Sequence, residues 1–217
     1  SYALEEALQL KEKYDGEVVV CTFGPESSKQ VLKDALSKGA DRAVHISNED
    51  YPELDILSIA KIFHNVLEKE SFDLLLSGLQ SDDSGNGQLG ILLSELLNFT
   101  HASLVMETSS EESGTIKVKR ELENGWFQWS KLQLPASITI QSGINTPRYA
   151  SLMGIMSMKK KDRTIYVMAK LSLAVVGEVM SLAGMASTIN DTLFENQSVN
   201  MENIITSIRT ACTNIAL

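Results

Sequence analysis

The sequence predicts an α/β domain in which a parallel sheet carries an antiparallel extension. Two observations predict it. Over roughly the first hundred residues, continuous apolar or β-branched runs alternate with segments of helical periodicity, the rhythm of strand–helix–strand crossovers. Past that point the helices drop out, and strand-like segments follow one another through short turns.

The elements follow in order. Ala3, Leu4, Ala7 and Leu8 repeat at helical spacing and predict an amphipathic helix ending near Lys13. Val18-Val19-Val20-Cys21-Thr22 reads as a parallel strand covered on both faces, and Gly24-Pro25 breaks it. Val31, Leu32, Ala35 and Leu36 mark a second helix with Gly39 as its stop, and a short strand from Ala43 to Ile46 follows. Ile56, Ile59, Ala60, Phe63, Val66 and Leu67 form a third helix, and Asp73-Leu74-Leu75-Leu76 is a further buried strand. That strand opens into a polar, glycine-containing loop, Gly78 to Gly87, and then a helix through Leu97. Ala102 to Glu107, Thr115 to Leu122, Gly125 to Leu132 and Ser137 to Ile140 are read as the strands of the antiparallel extension. Within it, Asn124-Gly125 accepts the positive φ of a tight hairpin turn. A strand from Arg163, an apolar segment and a helix from Met201 to about Leu217 form a C-terminal tail. The domain reading is therefore residues 1–165, with 166–217 as a tail that could pack against a partner subunit.

Composition narrows the function. With 217 residues there is room for one sizeable domain, and 43% hydrophobic content fills its core. A net charge of −9 argues against generic binding to nucleic acid or anionic membrane, since both require positive fields. Leu171 to Ala186 is the most apolar stretch, but Glu178 interrupts it and it is too short to insert across a membrane. Cys21 and Cys212 make no disulfide framework, so a reducing compartment is the default. His45, His64 and His101 lack ligand spacing, which argues against a metal site. No catalytic constellation is evident, and no catalytic residue is assigned.

The segment Gly78-Leu79-Gln80-Ser81-Asp82-Asp83-Ser84-Gly85-Asn86-Gly87-Gln88-Leu89-Gly90 carries the most chemistry. It leaves the C-terminal end of a parallel strand and enters a helix, where open α/β sheets place ligands. Glycines let the backbone approach a phosphate, and the N–H groups at the following helix start carry partial positive charge for it. Asp82 and Asp83 offer acceptors to a ribose or an adenine edge, or hold the loop. An ordinary solvated turn that caps a helix has the same composition. The loop has neither the lysine of a P-loop nor a G-x-G-x-x-G run.

A family resemblance rests on four blocks. Asn145-Thr146-Pro147-Arg148-Tyr149-Ala150-Ser151-Leu152-Met153-Gly154-Ile155-Met156-Ser157-Met158-Lys159-Lys160-Lys161 resembles a stretch of electron-transfer flavoprotein beta subunits. Leu4-Glu5-Glu6-Ala7, Ala35-Leu36-Ser37-Lys38-Gly39-Ala40-Asp41-Arg42, and Val118-Lys119-Arg120-Glu121 through Leu134-Pro135-Ala136 resemble three others in the same order. Asn124 and Ser130 are mild departures. The resemblance covers residues 3 to about 161 and fades beyond 165.

The resemblance implies a Rossmann-like adenine-nucleotide-binding fold whose first strand would lie ahead of Ser1, in the middle of the sheet. It implies that the loop from Gly78 to Gly90 holds AMP or, in electron-bifurcating members, a second FAD. Asp83, Gln88 and Gly90 match the core of both versions, whereas Leu89 fits neither and Ile91 replaces a frequent proline. Thr22, Phe23 and Gly24 match positions that line the adenine. The redox FAD is implied to sit mainly on an alpha subunit, making this chain a carrier subunit with no substrate chemistry of its own. Acyl-CoA-type dehydrogenases of fatty-acid β-oxidation are the implied partners, in a bacterial cytoplasm or mitochondrial matrix. A non-redox adenine-nucleotide module and an NADH-dependent bifurcating component are the alternatives.

Leu152, Ile155 and Met156 fall on one helical stripe, and the Leu matches an anchor that inserts into the partner dehydrogenase in that family. With Arg148, Lys159 and Lys160 they form the candidate docking segment, and Lys161 and Arg163 add positive charge. Core packing is the ordinary reading of such a stripe. Trp126, Phe127 and Trp129 are expected to pack in the core or at a subunit interface.

Overall fold

The structure is a computed structural model, described here for residues 1–48, 54–81, 84–110, 113–161 and 163–167. Helix α1 spans Tyr2–Tyr14, strand β1 Val19–Gly24, α2 Lys29–Lys38 and β2 Arg42–Ser47. Helix α3 covers Ile56–Leu67, β3 Leu74–Gly78 and α4 Leu89–Leu96. Strands β4 (Thr100–Ser109), β5 (Thr115–Glu121), β6 (Phe127–Gln133) and β7 (Ala136–Ile140) follow, then α5 (Leu152–Ser157) and β8 (Arg163–Val167). The local chemistry explains the boundaries. Gly39 ends α2 at a φ of 132°, and the Asp55 carboxylate caps α3 by accepting from the Ser58 N–H at 2.8 Å.

The strands form two sheets. One has the order β1-β2-β8 and is parallel throughout; the other has the order β3-β7-β4-β5-β6. In the second, β3, β7 and β4 run parallel, and only β5 and β6 add antiparallel pairs. The predicted extension is thus shorter than expected, because Ser137 to Ile140 belongs to the parallel part. All five residues of β7 are buried, with Leu74 and Thr100 both opposite Ala136. The tail strand from Arg163 joins β2, and the predicted helix from Met201 lies outside the described residues.

Three apolar clusters make the core. Leu8, Leu32, Leu36 and Val18 pack between α1, α2 and the first sheet. Phe23, Val44, Ile46 and Ile59 pack between its other face and α3. Val105, Val118 and Ile138 fill the second sheet, with Ala3 of α1 packed against them. The β5–β6 hairpin turns at Asn124 and Gly125, with φ of 57° and 77°, as Asn-Gly permits. Its aromatic residues are not core: Trp126 is 72% exposed, and Lys117 lies 4.9 Å from the Trp129 ring centre. On β6, Phe127 and Trp129 share the face that is about half exposed, whereas Leu132 on the other face packs against the second core cluster. Among the described residues, no helix is long and apolar enough to cross a membrane.

Candidate functional site

The predicted cofactor residues gather at the C-terminal ends of β1 and β3. Phe23 is buried near the end of β1, with its ring edge-on to Phe63 at 6.2 Å between centres. Gly24 closes the strand against a short 3-10 turn, Glu26–Ser28, and a Cβ there would come within 2.6 Å of the Ser28 hydroxyl. Only glycine permits that approach.

Gly78 ends β3 and opens the loop, in which Gln80, Ser81, Ser84, Gly85 and Asn86 are exposed. Asp82 and Asp83 lie outside the described residues. The loop folds back through a Ser81–Ser84 hydroxyl contact of 2.8 Å and a Gly85 N–H donated to the Ser81 carbonyl at 3.0 Å. Gly85 and Gly87 adopt φ of 62° and 60°, the left-handed region where a side chain is strained. Gln88 stands at the start of α4 and provides no side-chain cap. The first N–H groups of that helix, from Leu89 to Ile91, have no acceptor within the helix and carry its positive end. An exposed, glycine-rich approach to such donors suits a phosphate group.

Gly90 does something different from its neighbours. It is buried, and a Cβ would collide with the Ser77 hydroxyl and approach Thr139 Cγ2 to 2.7 Å. Ser137 also donates to the Gly90 carbonyl at 3.3 Å. Gly90 therefore lets α4 sit directly on β3 and β7. Leu89 packs against the cluster that contains Phe23, which brings the two predicted stretches together. Ser77, Ser137 and Thr139 went unrecognised in the sequence, although their polar side chains alternate with apolar ones and face α4 rather than water.

The segment predicted for docking is built by anchors behind it. Ser151 caps α5 by accepting from the Gly154 N–H at 3.0 Å. A Cβ on Gly154 would strike the Ser37 carbonyl, so its absence lets α5 rest on the end of α2. Lys161 donates to the Leu36 and Ala40 carbonyls at 2.9 and 2.6 Å, where the negative end of α2 favours a cation. Away from these anchors, Leu152 is 77% and Met156 68% exposed, and Ile155 is exposed beside them. The stripe is on the surface. Lys159 and Lys160 are exposed as well.

Arg148 is held within the chain. Its guanidinium donates to both carboxylate oxygens of Glu5 at 2.9 Å and also pairs with Glu12. Asn145 donates to the Tyr2 carbonyl at 3.1 Å and to Glu6 at 3.0 Å. The hydrogen bonds from Arg148 hold the Glu5 carboxyl down to about 2, against an opposing push from burial. Arg148 thereby fixes the segment leading into α5 to helix α1. No local pattern signals this pairing, which joins residues far apart in sequence. Burial pushes the Cys21 thiol up to about 12, which keeps it a protonated thiol near neutral pH. Among the described residues, no cluster of His, Cys, Asp and Glu could hold a metal ion.

Comparison with known proteins bears on this arrangement. A family model described as the electron transfer flavoprotein domain matches residues 1–170. The electron transfer flavoprotein subunit beta of Methylophilus methylotrophus is 36% identical over 192 residues, 87% of this chain and 71% of that protein. The subunit of the same name from Bacillus subtilis is 41% identical over 162 residues, 74% of this chain and 62% of its own length. That from Bradyrhizobium diazoefficiens is 39% identical over 160 residues, covering 73% and 63%. The chain thus spans about two-thirds of the length of these relatives, and over most of its own length it belongs to the electron-transfer flavoprotein beta-subunit family.

Proposed function

We propose that this chain is the beta subunit of a heterodimeric electron-transfer flavoprotein: it holds a nucleotide and docks partner dehydrogenases. In this reading its fold is of the Rossmann-like nucleotide-binding type, completed by a first strand that is not among the described residues. The nucleotide is AMP or a second FAD. The redox-active FAD sits mainly on an alpha subunit, where it takes up and passes on electrons. The chain then serves as a carrier subunit rather than as an enzyme with its own substrate.

The observation that carries the reading is the loop from Gly78 to Gly90. It begins at the C-terminal end of a parallel strand, passes two left-handed glycines and ends at a helix start without a side-chain cap. Gly85 and Gly87 leave the approach open, and the Leu89–Ile91 N–H groups are the donors for phosphate oxygens. Ser81 and Ser84 lie beside that approach and would bind the phosphate or ribose. Leu89 supplies an apolar contact beside Phe23 in place of a hydroxyl.

The exposed stripe of Leu152, Ile155 and Met156, flanked by Lys159 and Lys160, supports the docking half. A small apolar anchor with a basic rim suits brief contacts with an acyl-CoA-type dehydrogenase. The test is to purify the chain with its alpha subunit, denature the complex and identify the released nucleotides. One AMP and one FAD per heterodimer is the result for an ordinary carrier, and two FAD that for a bifurcating component. Release of neither nucleotide from the beta chain's share would sink the assignment.

A further inference from the structure

Three of the chain's eight methionines fall within residues 153–158, in and just after α5. They stand in two environments. Met158 is half-buried and packs against the cluster of Leu8, Leu32 and Leu36. Met153 is 81% exposed, Met156 is exposed beside it, and neither packs against any of the three apolar clusters. Met106, the remaining methionine among the described residues, is half-buried on β4.

Helical spacing puts both exposed thioethers on the surface proposed above for docking. Met153 and Met156 are three residues apart and lie along one side of α5, and Met156 also neighbours Leu152, four residues earlier. Leu152, Met153, Ile155 and Met156 therefore make one small apolar patch, in which two of the four side chains carry sulfur. Apolar contact alone does not demand sulfur there, since leucine or isoleucine would cover a similar area. What a thioether adds is flexibility, polarisability and reactivity towards two-electron oxidants.

The seat of α5 is independent of those two side chains. It is made by the Ser151 cap, the close approach of Gly154 to Ser37, the Lys161 bonds to the carbonyls ending α2, and Met158. A chemical change at Met153 or Met156 thus alters the outer face of α5 and leaves its anchorage intact.

We propose that Met153 and Met156 are a modification site at which hydrogen peroxide forms methionine sulfoxides that switch off docking through α5. This rests on the docking reading above and deepens it. In the step itself, the lone pair of the thioether Sδ attacks one peroxide oxygen, an S–O bond forms and the O–O bond breaks. Sulfur loses two electrons, and the departing hydroxide takes the proton of the attacked oxygen and leaves as water. Each sulfoxide oxygen is a strong acceptor that loses its water when pressed into an apolar pocket, which opposes docking. Reductases specific for the two sulfoxide epimers reverse the change. In the proposed heterodimer, reduced flavin meeting O2 is a source of hydrogen peroxide, so the site would slow electron entry where electrons leak.

The test uses the chain in complex with its alpha subunit. The complex is treated with hydrogen peroxide, and the oxidant is removed before electron transfer from a dehydrogenase is measured. The tryptic peptide of residues 149–159 holds all three methionines, and its fragment masses assign sulfoxide to each. Met153 and Met156 are expected to oxidise about fivefold faster than Met158 and Met106, following their exposure. The KM for the heterodimer is expected to rise about tenfold, with kcat and the urea midpoint nearly unchanged, and the reductase pair to restore it. A Met153→Leu, Met156→Leu version keeps an apolar patch without sulfur, and after peroxide it is expected to retain its own untreated KM.

An equal loss in that double variant overturns the proposal, because the lesion then lies elsewhere. Sulfoxides at both positions with an unchanged KM overturn it too, as does oxidation of Met158 ahead of them. Unoxidised Leu152→Ala separates this proposal from the reading beneath it. If Leu152→Ala weakens transfer and the sulfoxides do not, docking through α5 stands and the modification site falls. If neither changes the KM, both fall.

Discussion

The pairing of Arg148 with Glu5 gives a prediction whose size and pH dependence both follow from the structure. Glu5→Gln keeps the size and shape of the side chain and removes its charge. The Glu5 side chain is only 6% exposed, so little solvent screening applies. Its carboxyl is held at about 2, against an ordinary value of 4.5. At about 1.4 kcal/mol per pK unit, the native state gains roughly 3 kcal/mol from ionised Glu5 near neutral pH.

For a domain whose total stability is about 5–15 kcal/mol, that is a large share. With a urea dependence of about 2 kcal/mol per molar, the midpoint should fall by about 1.5 M. The sign of the pH dependence is fixed. A carboxyl lowered on folding stabilises above its unfolded value, and the gain disappears as pH falls from about 4.5 towards 2. The parent and Glu5→Gln curves should therefore lie apart at pH 7 and converge in acid. Far-UV circular dichroism is the suitable probe, because Trp126 and Trp129 are exposed on an edge hairpin and report poorly on the core. A difference below about 0.5 kcal/mol at pH 7 refutes the reasoning, as does one that acid leaves unchanged.

Two further substitutions separate packing from contact. Gly90→Ala forces a Cβ into Ser77 and Thr139, which should cost about 1–3 kcal/mol in urea unfolding and displace α4 enough to reduce bound nucleotide. A neutral result in both measurements would show that α4 does not sit as closely on the sheet as described. Leu152→Ala changes an exposed side chain, so stability should move by less than about 0.5 kcal/mol. On the proposed docking function, electron transfer between a dehydrogenase and the heterodimer is nonetheless expected to fall by about tenfold or more, as when a central anchor is truncated. Unchanged transfer would remove Leu152 from the docking surface.

The strand and helix order was legible because its signals are local: β-branched runs at Val18–Val20, the stop at Gly39, the Asn124-Gly125 turn. What was misread turned on neighbours distant in sequence. Ser137 and Thr139 give β7 the alternation of a half-solvated strand, yet α4 covers those side chains through Gly90 and Ser137. The strand is consequently parallel and central rather than part of the extension. Trp126 and Phe127 carry the composition of packed residues, but within the chain they are exposed, Phe127 on the β6 face opposite Leu132; core packing fails, and interface packing stays an expectation. Of the candidate site, the glycines and the apolar stripe could be picked out by type and spacing. The carboxylates that position the stripe could not, because the pairing of Glu5 and Glu12 with Arg148 joins residues far apart in sequence.

That positioning matters because α5 is too short to hold itself. A helix of six residues has almost no intrinsic stability in water, so an apolar stripe on it would be presented in no fixed orientation unless tertiary contacts held it. Those contacts all lie behind or beside the stripe: the Ser151 cap, the close approach of Gly154 to Ser37, Met158 against the first core cluster, and Lys161 on the carbonyls ending α2. Ahead of the helix, Asn145 and Arg148 tie the incoming chain to α1. Met158 apart, these anchors use small, polar or charged residues, so the apolar side chains of Leu152, Ile155 and Met156 stay outside. Core residues are expected to use their apolar side chains for anchoring and leave polar ones exposed; here the division is reversed. This reversal, rather than exposure alone, distinguishes the segment from a surface helix that happens to be apolar, and it is the physical ground for reading it as a docking element.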